Sequence, residues 1–144
     1  MADELRREIA LACSPERAFR AFTEHVDLWW PRGHRKSREH AMRFTSDALI
    51  QTAADGSEWT MGRVVAWEPP HRLALDWFAG AVTDPTHVDI GFAADGGGTR
   101  ITIVHRPLTP ETIELWPKRV STFVGGWEAV LGGLKQHIEG EANG

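Results

Sequence analysis

The chain has 144 residues, 42% hydrophobic and 25% charged, with a formal net charge of −4 at neutral pH. That balance describes one globular domain over residues 1–144, and a chain of this length buries about 70% of its unfolded surface without disulfides or structural metal. Mild acidity gives no electrostatic reason to bind nucleic acid, no apolar run approaches the roughly 20 residues a membrane span needs, and Cys13 as the lone cysteine excludes an internal disulfide and suits a cytoplasmic protein.

Leu5, Ile9, Leu11 and Cys13 alternate with polar or small neighbours, a period of two that predicts a strand with one buried face. Ser14-Pro15-Glu16 then supplies an N-cap and a proline suited to the first helical position. The helix it opens would bury Ala18, Phe19 and Phe22, and a second short helix over Glu24 to Trp29 would end before Pro31. The stretch from Pro31 to Ala41 reads as a loop. Its basic cluster, Arg32 to Arg38, is short, broken by Gly33, His34 and Ser37, and reads as solvated.

Short strands follow over Met42 to Ser46, Leu49 to Ala53, Glu58 to Glu68, Arg72 to Phe78, His87 to Ala93 and Thr99 to His105. They are separated by turn signals at Asp55-Gly56, Pro69-Pro70, a loop from Gly80 to Pro85, and Asp95-Gly96-Gly97-Gly98. Alternation assigns inward rows Leu73/Leu75/Trp77, Val88/Ile90/Phe92 and Ile101/Ile103/His105, with Asp76 and Asp89 facing solvent. In the long strand Trp59, Met61, Val65 and Trp67 share a parity with Arg63, which a bulge would have to resolve. The tail is helical. Thr109-Pro110-Glu111 repeats the cap pattern, Pro117 is expected to interrupt, and from Lys118 onward Phe123, Trp127, Leu131, Leu134 and Ile138 form one apolar stripe. Gly125-Gly126 and Gly132-Gly133 sit inside that stripe at a cost of about 0.8–1 kcal/mol each, which close approach, a kink or space for a ligand would explain. The implied class is α+β: a seven-stranded curved antiparallel sheet around a long C-terminal helix, with two short helices after the first strand.

Several segments resemble the activator-of-Hsp90-ATPase-like (AHSA1-like) branch of the START-like (SRPBCC) superfamily. They are Ser14-Pro15-Glu16-Arg17-Ala18-Phe19, Leu28-Trp29-Trp30-Pro31, Gly62 through Leu73 with its Glu68-Pro69-Pro70-His71-Arg72, Gly97 through His105, and Gly126-Trp127-Glu128-Ala129-Val130-Leu131. Together they run in order along nearly the whole chain. The resemblance implies the helix-grip (START-like, Bet v 1-like) fold, with a cavity between sheet and C-terminal helix that accepts varied hydrophobic ligands.

Seven Trp and six Phe with no Tyr must either fill a core or wall such a cavity. The expected ligand-facing set is Trp30, Trp59, Trp77, Ile103, His105, Trp116, Phe123 and Trp127, with Trp30 and Trp116 at the mouth because each precedes a proline. His105 ends an inward apolar row. It would either bond a ligand oxygen or be a core histidine satisfied by the protein. No nucleophile motif, phosphate loop or metal-ligand spacing is present, so no cofactor and no metal are expected. Three functions follow: binding of a small apolar or aromatic molecule in a cavity of roughly 300–1,000 Å³, an enzyme acting on such a molecule through His105, or a protein–protein module related to Hsp90 co-chaperones. An edge strand is also available to pair across a homodimer.

Overall fold

A computed structural model describes residues 4–78 and 84–143, with side chains through Gly140. Strands β1 (Leu5–Leu11), β2 (Ala41–Phe44), β3 (Ala48–Thr52), β4 (Glu58–Glu68), β5 (Arg72–Trp77), β6 (Thr86–Asp95) and β7 (Gly98–Pro107) form one antiparallel sheet in the order β1-β7-β6-β5-β4-β3-β2. Helices α1 (Pro15–Thr23) and α2 (Val26–Trp29) and a 3₁₀ turn (Arg32–His34) carry the chain from β1 at one edge to β2 at the other. Helix α3 (Pro110–Asn143) closes the curved half-barrel, completing a helix-grip fold. The loop expected over residues 80–85 falls mainly on 79–83, outside the described residues. Among those described, no helix is long and apolar enough to cross a membrane.

Local chemistry sets these boundaries. Ser14 Oγ accepts from the Arg17 N–H at 3.2 Å, and Pro15 occupies the first helical position, so α1 begins as expected. The second helix is shorter than expected, only four residues, starting at Val26 behind a His25 that gives no side-chain cap. Gly96 and Gly97, at φ 56° and 87°, make the two-residue turn that joins β6 to β7.

The parity conflict in β4 is resolved by two register shifts. Leu49 pairs with Gly62 but Ile50 with Thr60, skipping Met61; Val64 pairs with Leu75 but Ala66 with Ala74, skipping Val65. The inward set therefore changes parity twice along the strand. Trp59 and Trp67 both turn toward the core side, while Arg63 and Val65 are exposed. The three inward rows from β5, β6 and β7 are all buried, as the alternation requires. Asp76 and Asp89 lie on the outer face in ion pairs with Arg63 and Arg72, so they are partly covered rather than freely solvated.

Phe123, Trp127, Leu131, Leu134 and Ile138 of α3 are all buried against the sheet, each worth roughly 1.5–3 kcal/mol of transfer from water. Pro117 does not interrupt α3, contrary to expectation. Proline removes the bond to the carbonyl four residues back, here that of Ile113, whose residue is 52% exposed. The neighbouring Trp116 is buried with its ring 5.3 Å from His105 on β7, so tertiary packing holds the helical path across the break.

The four helical glycines separate by surroundings. A Cβ at Gly133 would lie 2.7 Å from the Trp29 carbonyl oxygen, so this glycine permits α3 to touch the end of α2. At Gly126 the nearest neighbour would be His34 Nδ1 at 3.9 Å, and at Gly125 and Gly132 nothing lies within 4 Å. Gly133→Ala is accordingly expected to destabilise by about 1–3 kcal/mol through forced displacement of backbone. Gly125→Ala and Gly132→Ala should each stabilise by up to about 1 kcal/mol through helix propensity. Urea denaturation of the three variants reads the sign directly.

Candidate functional site

Trp30 ends α2 and turns inward because the chain leaves the helix at an extended backbone, with Pro31 following. Its indole lies 6.0 Å from Trp77 on β5 and 6.1 Å from Trp127 on α3, and Trp77 and Trp127 stand 5.2 Å apart. Phe123 and Val130, one turn to either side of Trp127 on α3, and Met61 from the β4 bulge complete apolar walls. Gly126, Thr122 and His34 also line the space. The pocket has a volume of about 200 Å³, below the range expected from the sequence.

Of the eight residues the sequence proposes, Trp30, Trp77, Phe123 and Trp127 line this pocket. His105 and Trp116 stand one layer behind it. The His105 ring packs 4.3 Å from Phe123 and 5.3 Å from Trp116, so Trp116 is sealed beneath the wall rather than placed at the mouth. Ile103 is fully buried on β7 and is not in the lining. Trp59 is also outside the lining, half-buried with the Lys36 ammonium 4.9 Å above its ring. Met61, His34, Thr122, Gly126 and Val130 are missing from the sequence-based set. Of these, Gly126 carries a signal in its cost within a helix and Met61 in its parity with Trp59.

His105 is held by side chains on both nitrogens. Trp127 Nε1 donates to Nδ1 at 3.0 Å, which leaves the ring proton on Nε2 to be donated to Thr86 Oγ1 at 2.7 Å. The Thr86 hydroxyl in turn faces the Trp77 carbonyl at a long 3.5 Å. Burial, with smaller contributions from Arg119 and His87, pushes the imidazole down to about 3, so it is neutral at physiological pH. Neither nitrogen is left for a ligand or for proton transfer. The relay instead ties two pocket walls, the Trp127 indole and the Trp77 backbone, to one buried ring.

The opposite wall rests on Arg35, a member of the basic cluster expected to be solvated and instead buried. Its side chain is 1% exposed and bonds Asp27 Oδ1 at 2.7 Å. It also donates to the carbonyls of Trp30 at 2.9 Å, Asp27 at 2.8 Å and His40 at 2.6 Å. Burial raises the Asp27 carboxyl, but the Met42 N–H and the Arg35 guanidinium outweigh it and hold the group below its ordinary value. Trp30 Nε1 closes the knot by donating to the His34 carbonyl at 3.2 Å.

Two outcomes follow from this geometry. The unfolded chain protonates His105 near 6.5 while the folded one does not until about 3. Its contribution is therefore complete above pH 6.5 and declines as pH falls toward 3, with a slope of up to about 1.4 kcal/mol per pH unit. His105→Gln keeps a donor and an acceptor but cannot take a proton. Urea titrations across this range should show a shallower acid decline for the variant than for the parent. Arg35→Lys loses the fork that serves three carbonyls and a carboxylate at once. It should cost about 1–3 kcal/mol, seen as an earlier denaturation midpoint.

No curated protein matches the chain. Among solved structures it resembles a protein from Rhodobacter sphaeroides at 22% identity and a TM-score of 0.71, covering 97% of this chain and 94% of that one. It also resembles the Aha1 dimer from Colwellia psychrerythraea at 14% identity and a TM-score of 0.64, covering 95% and 96%. An anthrahydroquino-γ-pyrone synthase, Txn09, solved as a complex, shares 28% identity at a TM-score of 0.54 over 72% of this chain and 75% of its own. The model of the activator of Hsp90 ATPase homolog 1-like proteins matches residues 12–139, and the chain belongs to that family.

Proposed function

We propose that this protein holds a small aromatic molecule in the pocket between α3, the β4–β5 face of the sheet and the turn after α2. The observation that carries the reading is the pocket itself: four aromatic side chains, a methionine and a valine around about 200 Å³, with no Asp, Glu, Lys or Arg in the lining among the described residues. A dry apolar cavity of roughly 150 Å³ accepts benzene, so this volume suits one or two rings. The synthase among the structural relatives supports an aromatic cargo, because an anthrahydroquino-γ-pyrone is a fused aromatic ring system. Binding, rather than catalysis, is favoured by His105, whose nitrogens are both engaged within the protein.

The expected affinity is modest. A single ring burying about 150–200 Å² of apolar surface gains roughly 4–5 kcal/mol, equivalent to a Kd of about 0.2–1 mM. Three of the seven Trp line the pocket, so titration with one- and two-ring aromatics should change the intrinsic fluorescence saturably. Gly126→Leu places a side chain in the space between His34 and the indoles and should abolish that change while leaving the circular dichroism spectrum intact. An unsaturable signal for every compound, or the same saturation in the folded Gly126→Leu variant, would remove the pocket from consideration.

A further inference from the structure

Three indoles wall the pocket, and two have used their N–H groups within the protein: Trp30 Nε1 on the His34 carbonyl and Trp127 Nε1 on His105. Trp77 differs. Among the described residues no acceptor meets its Nε1, and that nitrogen is not among the polar atoms sealed from solvent without a partner. The ring is nonetheless fixed, being 5% exposed, with its Cε3 turned toward Gly62 and Trp127 packed 5.2 Å away. The pyrrole N–H lies diagonally across the indole from Cε3, on the edge that does not face Gly62.

Resting on the pocket reading above, we infer that Trp77 Nε1–H is the specificity determinant of this pocket and selects one- or two-ring aromatics that carry a carbonyl oxygen. A donor that is neither bonded within the protein nor sealed from solvent is satisfied by water. A hydrocarbon that displaces the water leaves the N–H unpaired, whereas a ligand with an acceptor replaces the lost bond. Sites with a donor of this kind reject the analogue lacking the acceptor because the protein group is then stranded. The other polar groups of the lining, the Thr122 hydroxyl and the His34 ring, belong to exposed residues that remain hydrated when the pocket fills.

The test compares 1-indanone with indane, which share a two-ring frame and differ in the carbonyl, by isothermal titration calorimetry. The parent protein should bind 1-indanone roughly 3- to 10-fold more tightly than indane, although the ketone is the less hydrophobic compound. Trp77→Phe keeps a ring and removes the N–H; it should bind the two compounds equally. Thr122→Val should retain the preference. A readout that needs no variant is the Trp77 indole proton resonance, which should move downfield with 1-indanone and not with indane. Equal binding of the two compounds by the parent, or a preference that survives in Trp77→Phe and disappears in Thr122→Val, overturns the assignment while leaving the pocket reading intact. Absence of binding by either compound removes both.

Discussion

The helix and the sheet meet through a buried, neutral imidazole. Apolar burial brings α3 onto the sheet, but it is nondirectional, and a stripe of Phe, Trp, Leu and Ile would tolerate some rotation and sliding. The run from Trp127 Nε1 through His105 and Thr86 toward the Trp77 carbonyl removes that freedom. Each such bond contributes only about 1 kcal/mol net, yet leaving a buried donor or acceptor unmade costs about 1–3 kcal/mol. The penalty for misplacement, more than the reward for contact, sets the rotation of α3. Both pocket walls inherit their positions from it, since Trp127 is the donor at one end and Trp77 supplies the carbonyl at the other.

The aromatic residues serve two purposes, divided along the sheet. Phe22 packs 5.2 Å from Trp29 and 5.9 Å from Phe92, while Phe19 meets Phe92 and Trp67 at 5.2 and 5.4 Å, a filled core beneath α1 and α2. Trp30, Trp77, Trp127 and Phe123 face one another around open volume. Trp30 joins the halves, with Phe22 6.5 Å to one side. Open apolar volume is unfavourable to the fold, so something must prevent collapse. The Arg35 knot does this on one side by bonding the Trp30 carbonyl, and the His105 relay does it on the other.

These arrangements were unevenly legible in the sequence. Period-two rows in β5, β6 and β7 and the stripe of α3 could be read because each residue's burial follows from its position in a regular element. The parity of β4 could not. The shifts at Met61 and Val65 are set by pairing with β3 on one edge and β5 on the other, and neither partner is adjacent along the whole strand. Arg35 was missed for a related reason. A lone buried arginine in a basic loop has the same composition as a solvated one, and only the return of the chain to Asp27, Trp30 and His40 distinguishes them. Pro117 misled because local propensity points to a break, whereas the packing of Trp116 on His105 of β7 is nonlocal.

Gly126 and Gly133 explain how one helix both closes the fold and leaves space. Seven residues apart, they lie two turns from each other on nearly the same face. At Gly133 the missing side chain lets the helix backbone rest against the Trp29 carbonyl and the Pro31 ring. At Gly126 that same face looks onto the turn bearing His34, and beside it the indoles of Trp30 and Trp127 stand edge to face at 77°. Bulk on the two indoles keeps this stretch apart, while contact at Gly133 keeps the next two turns docked. A side chain at 126 would fill the gap and a side chain at 133 would prise the helix away. The pocket is therefore not a packing defect in a loosely filled domain but the result of fixing α3 at one glycine and propping it at the other.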